Sequence, residues 1–259
     1  MRLYRVAALA WAGFLLCAGT ATIIHFEPHL YIQVYSLFTP RTASYMLPVI
    51  QGAVAVQAAS IFLLWLRVPG GIFIAWASGL VMLPFGLFFI EGCLMTRQRG
   101  RFAGFEPAPP TEEFGLLYPN ITPEHNPYIG LGVMLTGVLF YMLGVMSVVC
   151  TFLVVTGIIL VIRSKRLRTR PVLGLYDHYF VMTPNVWAET YAVPYRSVRG
   201  YLLRNKQIFL MVEDARGQER ELVIPLRRIH PEDREDAIST FASKLALGTQ
   251  LFSNYEYYA

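Results

Sequence analysis

Over its first 162 residues the chain consists of long apolar runs separated by short polar breaks, and after residue 170 the apolar positions come in short bursts. A bilayer core about 30 Å thick needs about 20 apolar residues in a helix. Runs at about 6–24, 45–66, 71–90 and 129–162 predict four spans, which together make a transmembrane helical domain over 1–162. Val68, Pro69, Gly70 and Gly71 leave room only for a tight turn, so the second and third spans form an antiparallel hairpin. Pro84 predicts a kink in the third. The fourth run, 34 residues long, makes about 50 Å of helix at 1.5 Å per residue. With no Pro or polar turn inside it, one long helix is expected, tilted in the membrane or projecting from it.

The apolar run ends abruptly. Asn126 to Ile162 contains no Asp, Glu, Lys, Arg or His, and the next eight residues, RSKRLRTR, carry five cations: Arg163, Lys165, Arg166, Arg168 and Arg170. Such a cluster beside a span marks the cytoplasmic face. Residues 163–170 therefore read as a basic juxtamembrane linker that anchors the last span and attracts anionic headgroups without specificity.

Beyond the linker the apolar runs VLGLY, HYFVMT, ETYAVPY, SVRGYLL, QIFLMVE and ELVIPL are strand-length, rich in β-branched and aromatic residues, and separated by turn signals. The turn candidates are Thr183 to Asn185, Arg204 to Lys206 and Asp214 to Gln218. Pro231, followed by acids at 232, 233, 235 and 236, suits a helix N-terminus. Ala237, Ile238, Phe241, Ala242 and Leu245 then form an apolar stripe, and Gly248 marks the stop. The expected fold is thus a membrane α-helical bundle plus a small α+β domain at 171–247, an antiparallel sheet or barrel capped by its C-terminal helix, with 248–259 as a tail.

Composition agrees with this division. Apolar residues are 55% of the chain and charged residues 15%, against roughly 45–50% and 25% in soluble domains. The net charge of +5 does not imply nucleic acid, because 15 of the 22 Lys and Arg lie from Arg163 onward beside 11 of the 17 acids. Arg2, Arg5, Arg67 and the RSKRLRTR cluster favour a cytoplasmic N-terminus and C-terminal domain, in a bacterial inner membrane. Residues 25–44 and 91–128 are then periplasmic loops, although Arg41, Arg97, Arg99 and Arg101 oppose that placement. The start, MRLYR before VAALAWAGFLL, also has the layout of a signal peptide, but the apolar run continues through Ile23 and Ile24.

Little chemistry emerges. Cys17, Cys93 and Cys150 are scattered, with no CxxC pair. His25, His29 and His125 are weak metal candidates, since HFEPH lacks the spacing of a helical HExxH site. No nucleophile, P-loop or Rossmann pattern is present, so neither an enzyme nor a cofactor is expected. Gly130, Gly137, Gly144 and Thr151 recur every seven residues, a seam that suits helix packing or a homo-oligomer. Gln57 is expected to be a buried polar group within the bundle.

PVLGLYDHYFV, AVPYRSVRGYLL and IFLMVEDARGQERELVIPLRRI together resemble the bacterial pleckstrin-homology-like domains fused to membrane spans. Val193, Pro194, Tyr195 and Val198 match one family strand, and Ile224, Pro225 and Leu226 match the strand leading to the final helix. The resemblance implies a fold and raises lipid recognition, but LYDHY and TPNVWAE lack the Lys and Arg of a phosphoinositide loop. Arg196, Arg199, Arg204 and Lys206 offer a lipid or partner face instead. The expected function is protein interaction or assembly through this domain. The alternatives are an immunity protein neutralising a membrane-targeted toxin, or an accessory subunit of a transporter or membrane enzyme.

Overall fold

The computed structural model describes residues 6–27, 40–66, 68, 70–108, 115–120, 126–144 and 147–249. The chain divides into two compact units, one of residues 1–100 and 127–162 and the other of 101–126 and 163–259.

The first unit is helical. Helix α1 (Ala8–Phe26) and α2 (Pro40–Trp65) are antiparallel: Ala10 packs with Ile61 and Leu64, whereas Cys17, Ala21 and Ile24 pack with Ile50 and Ala53. Both are long and apolar enough to cross a membrane. Helix α3 (Gly71–Val81) begins beside the Ala10 end, where Ile72 and Ala75 join the cluster, and runs toward the other end, where Met82 meets Cys17 and Ile24. There the chain reverses through residues 82–85, which include a cis Leu83–Pro84 bond. Helix α4 (Gly86–Arg101) runs back: Cys93 rejoins Ala10 and Ile72, and Thr96 Oγ1 accepts the Ala7 N–H at 3.0 Å. The reversal needs small residues, since a Cβ on Gly86 would overlap the Gly79 carbonyl, and Gly13 and Gly92 allow equally close α1–α4 contact.

The expected third span, 71–90, is therefore not one kinked helix but the first arm and the turn of a helical hairpin. The eleven residues of α3 reach only about 16 Å, about half a bilayer core. The fourth run departs from expectation in the same way. It forms α5 (Pro127–Met142) and α6 (Ser147–Arg168), which fold back on each other. Gly144, at φ 76°, ends α5, and its N–H bonds to the Tyr141 carbonyl at 3.1 Å. Only a residue tolerant of the left-handed region closes a helix this way cheaply. Apolar residues surround that glycine, so hydropathy alone does not reveal the break.

The second unit holds the strands. Five form one antiparallel sheet in the order β1 (Glu106–Pro107), β5 (Tyr191–Pro194), β4 (Tyr179–Met182), β3 (Leu173–Leu175), β2 (Leu116–Tyr118). Three more, β6 (Val198–Arg204), β7 (Gln207–Glu213) and β8 (Glu219–Ile224), form a second antiparallel sheet. Helix α7 (Arg234–Thr249) carries Ala237, Phe241 and Leu245 into the core, where Phe241 meets Phe180 edge-on at 5.1 Å between centroids. All six expected strands are present, and two others come from an unexpected source.

Those two, β1 and β2, belong to the interhelical segment assigned above to a periplasmic loop. Glu106 pairs with Ala192, and Leu116, Leu117 and Tyr118 pair with Leu175, Gly174 and Leu173. Phe102 and Tyr118 are buried in the same core as Phe180 and Phe241, and the Tyr118 hydroxyl donates to Asp236 of α7 at 2.7 Å. The boundary 171–247 thus omits two edge strands and part of the core, because pairing partners about 60–85 residues apart leave no local signal.

Phe102→Ala in the full chain should destabilise the strand domain by about 3–5 kcal/mol, as for other buried Phe truncations. Pulse proteolysis of the C-terminal region should report the loss, whereas an independent loop would leave it unchanged.

Candidate functional site

The basic run is part of the folded domain rather than a linker. Helix α6 continues through Arg168. The Arg163 guanidinium lies 5.3 Å from the Trp187 ring centroid, and Arg170 Nη1 donates to the Ala188 carbonyl at 2.6 Å. Asn185 Oδ1 shapes that turn by accepting the Trp187 and Ala188 N–H groups at 3.0 and 2.9 Å. Arg163 and Arg170 are therefore committed to the domain, whereas Lys165 and Arg168 are exposed and Arg166 is half-buried.

The four cations expected on one face separate. Arg199 lies across the end of the second sheet and pairs with Glu213, with Nε donating to Oε2 at 3.1 Å and Nη2 reaching the same oxygen. Arg196 lines a cleft of about 640 Å³ with Gly104, Glu106, Tyr179, Ser197 and Asp214. Arg204 and Lys206 are exposed at the β6–β7 turn, where Asn205 and Lys206 adopt φ of 52° and 58°. Successive left-handed residues suit the twist of a two-residue hairpin.

Asp214 organises the β7–β8 turn. Its Oδ1 accepts the Arg216 and Gln218 N–H groups at 2.8 and 3.0 Å, and Arg220 Nε lies 3.7 Å from Oδ2. Burial alone raises this carboxyl, but the two N–H donors and the neighbouring guanidinium groups outweigh it and hold the group below its ordinary 3.8. Gly104 packs against the same side chain with no space for a Cβ, and its carbonyl accepts the Ala215 N–H at 3.2 Å. The interhelical segment is thus bound at this turn as well as in the first sheet. Burial and the Asp236 carboxylate push the Tyr118 hydroxyl upward, which keeps it a donor at any physiological pH.

The outer face of the second sheet is the other exposed feature. Strand alternation places Leu202, Phe209 and Val223 in one cross-strand row and Met211 in the next, while Ile208, Leu210, Leu222 and Ile224 point into the core. Leu202 and Met211 are each 42% exposed.

His25 is exposed at the end of α1, with Nδ1 3.2 Å from Gln51 Nε2, whereas His29 and His125 lie outside the described residues. Among the described residues no group of three His, Cys, Asp or Glu side chains is placed to hold a metal. The glycine seam does not run along a single helix. Gly130 faces Gly157 and Val161, Gly137 faces Cys150 and Leu153, Gly144 forms the turn, and Thr151 Oγ1 donates to the Ser147 carbonyl at 2.8 Å. The seam therefore packs α5 on α6 within the chain. Gln57 is fully buried as expected, donating to the Ser78 carbonyl at 3.4 Å.

Sequence reasoning missed Trp187, Asp214, Tyr118 and Asp236 as organising residues. The DARGQ turn signal pointed to Asp214, since an Asp whose side chain caps its own turn is a recurrent device. The chain matches no protein-family model, no curated protein and no solved structure.

Because the folded-state value of Asp214 lies below its unfolded value, its stabilising contribution is complete above about pH 4 and is lost as pH falls through the lowered value. Asp214→Asn should therefore lower the domain's unfolding midpoint at pH 7 and flatten its decline below pH 4. An unchanged pH profile in thermal unfolding would contradict this role.

Proposed function

We propose that the chain is a multi-pass protein of the bacterial inner membrane, without enzymatic activity, whose pleckstrin-homology-like domain faces the cytoplasm and mediates protein interaction or assembly. The observation that carries the reading is the strand pairing of residues 106–107 and 116–118 with 191–194 and 173–175. Segments that share a sheet share one side of a bilayer, so the chain between them returns to the side it left, as the α5–α6 hairpin allows. The α3–α4 hairpin likewise enters and leaves from one side, the side on which α1 begins.

On this topology nearly all flanking cations gather on that side. Arg2 and Arg5 precede α1, Arg67 falls between α2 and α3, Arg97, Arg99 and Arg101 end α4, and five more lie in RSKRLRTR, against Arg41 alone on the other. An excess of this size marks the cytoplasmic side. It also removes the objection raised by Arg97, Arg99 and Arg101 when 91–128 is read as periplasmic. The immunity reading depended on that segment as an exposed outer loop, and loses its main support. Two antiparallel sheets and a closing C-terminal helix are compatible with the family resemblance. The exposed Leu202 and Met211 support interaction as the domain's role.

A photocrosslinking residue at position 202 of the full chain, activated in living cells, should give discrete adducts with cytoplasmic protein. Adducts with periplasmic proteins, or with lipid alone, would contradict the reading. An adduct with one larger membrane protein in fixed stoichiometry would instead identify an accessory subunit.

A further inference from the structure

We infer that the outer face of the β6–β7–β8 sheet is a homotypic docking surface, which pairs with the same face of a second copy. The inference rests on the interaction reading above and names the partner. Along β7 the exposed face has successive rows: Arg204 with Gln207, then Leu202 with Phe209 and Val223, then Gly200 with Met211 and Glu221, and finally Glu213 with Glu219. The apolar residues occupy the middle of the face, and the charges lie toward its ends.

The charges are arranged diagonally. Arg204 ends β6 and Lys206 follows in the turn, so both cations occupy one corner. Glu219 and Glu221 begin β8 at the far end of β7, so two acids occupy the opposite corner of this face, while Arg220 between them alternates to the other face toward Asp214, which Arg216 in the turn also neighbours. All four are exposed, while Arg199 and Glu213 compensate each other at the acidic end, beside Glu219. A two-fold axis lying in the plane of the face, perpendicular to the line joining these corners, sets the cationic corner of each copy over the acidic corner of the other. The apolar rows then meet in the centre, which is the self-complementarity an isologous interface requires. An anionic bilayer fits less well, because it would repel Glu219 and Glu221 wherever it attracted Arg204 and Lys206.

The face is small. Three strands spaced about 4.8 Å apart and about 23 Å long offer a few hundred Å², below the roughly 800 Å² per partner of a free-standing complex. Association therefore depends on both copies being held in one membrane, where the effective concentration is high.

The test uses the full chain in liposomes, with Met211→Cys at the centre of the face as an oxidative cross-linking site. The native cysteines Cys17, Cys93 and Cys150 are buried. Cross-linked dimer should form, and reversing one corner, by Arg204→Glu with Lys206→Glu or by Glu219→Lys with Glu221→Lys, should reduce it about tenfold through like-charge opposition. Reversing both corners in the same chain should restore it. Indifference to the single-corner reversals, or failure of a protease-resistant four-site variant to recover, would overturn the proposal. If the position-202 adduct is a different cytoplasmic protein, the interaction reading stands and the homotypic one fails.

Discussion

Backbone hydrogen bonding between distant segments is the constraint on which the rest of this structure depends. Strand β1 pairs with β5 and β2 with β3, so the stretch between α4 and α5 is part of a sheet with the chain after α6. Strands pair only where both chains share one compartment. The uncharged run from 126 to 162 lies between the paired segments, and it folds as two antiparallel helices with Gly144 at their turn rather than as one long helix. Tyr118 reinforces the arrangement from the side chain, through its bond to Asp236.

The same economy appears in the helical unit. Helix α3 is too short to cross a bilayer core, and α4 returns along it to the end where α1 begins. The reversal at 82–85 keeps its backbone groups bonded, with Met82 N–H to the Gly79 carbonyl at 3.2 Å and Gly86 N–H to the Met82 carbonyl at 2.8 Å. Non-helical backbone at membrane depth is tolerated only where protein satisfies and covers it. Met82 and Pro84 are buried, so protein covers this turn as well as bonding it.

What was legible in the sequence follows from the range of the interactions. Strand and helix periods in 171–247 are local, and so are the turns at 185, 205 and 214, each of which the structure contains. Gln57 is buried as the run suggested, whereas Gln51 in the same run is exposed beside His25 at the end of α1. The two helical reversals were not legible, because both turns are apolar. Hydropathy registers a break only where water demands polar residues. The interhelical strands were not legible either, since two- and three-residue strands have no period and their partners lie far along the chain. Of the heptad of small residues, Gly130 and Gly137 pack against the following helix of the same chain, Gly130 facing Gly157, while Gly144 makes the turn.

The claim on which this account turns is that the interhelical segment and the C-terminal segment form one domain. Replacing the cross-strand partners Leu116 and Leu175 by cysteine tests it directly in the full chain. Oxidation in native membranes should produce an intramolecular disulfide that keeps the two segments joined after proteolytic cleavage between them. Failure to form it, with each cysteine instead labelled from opposite sides of the membrane, would contradict the account.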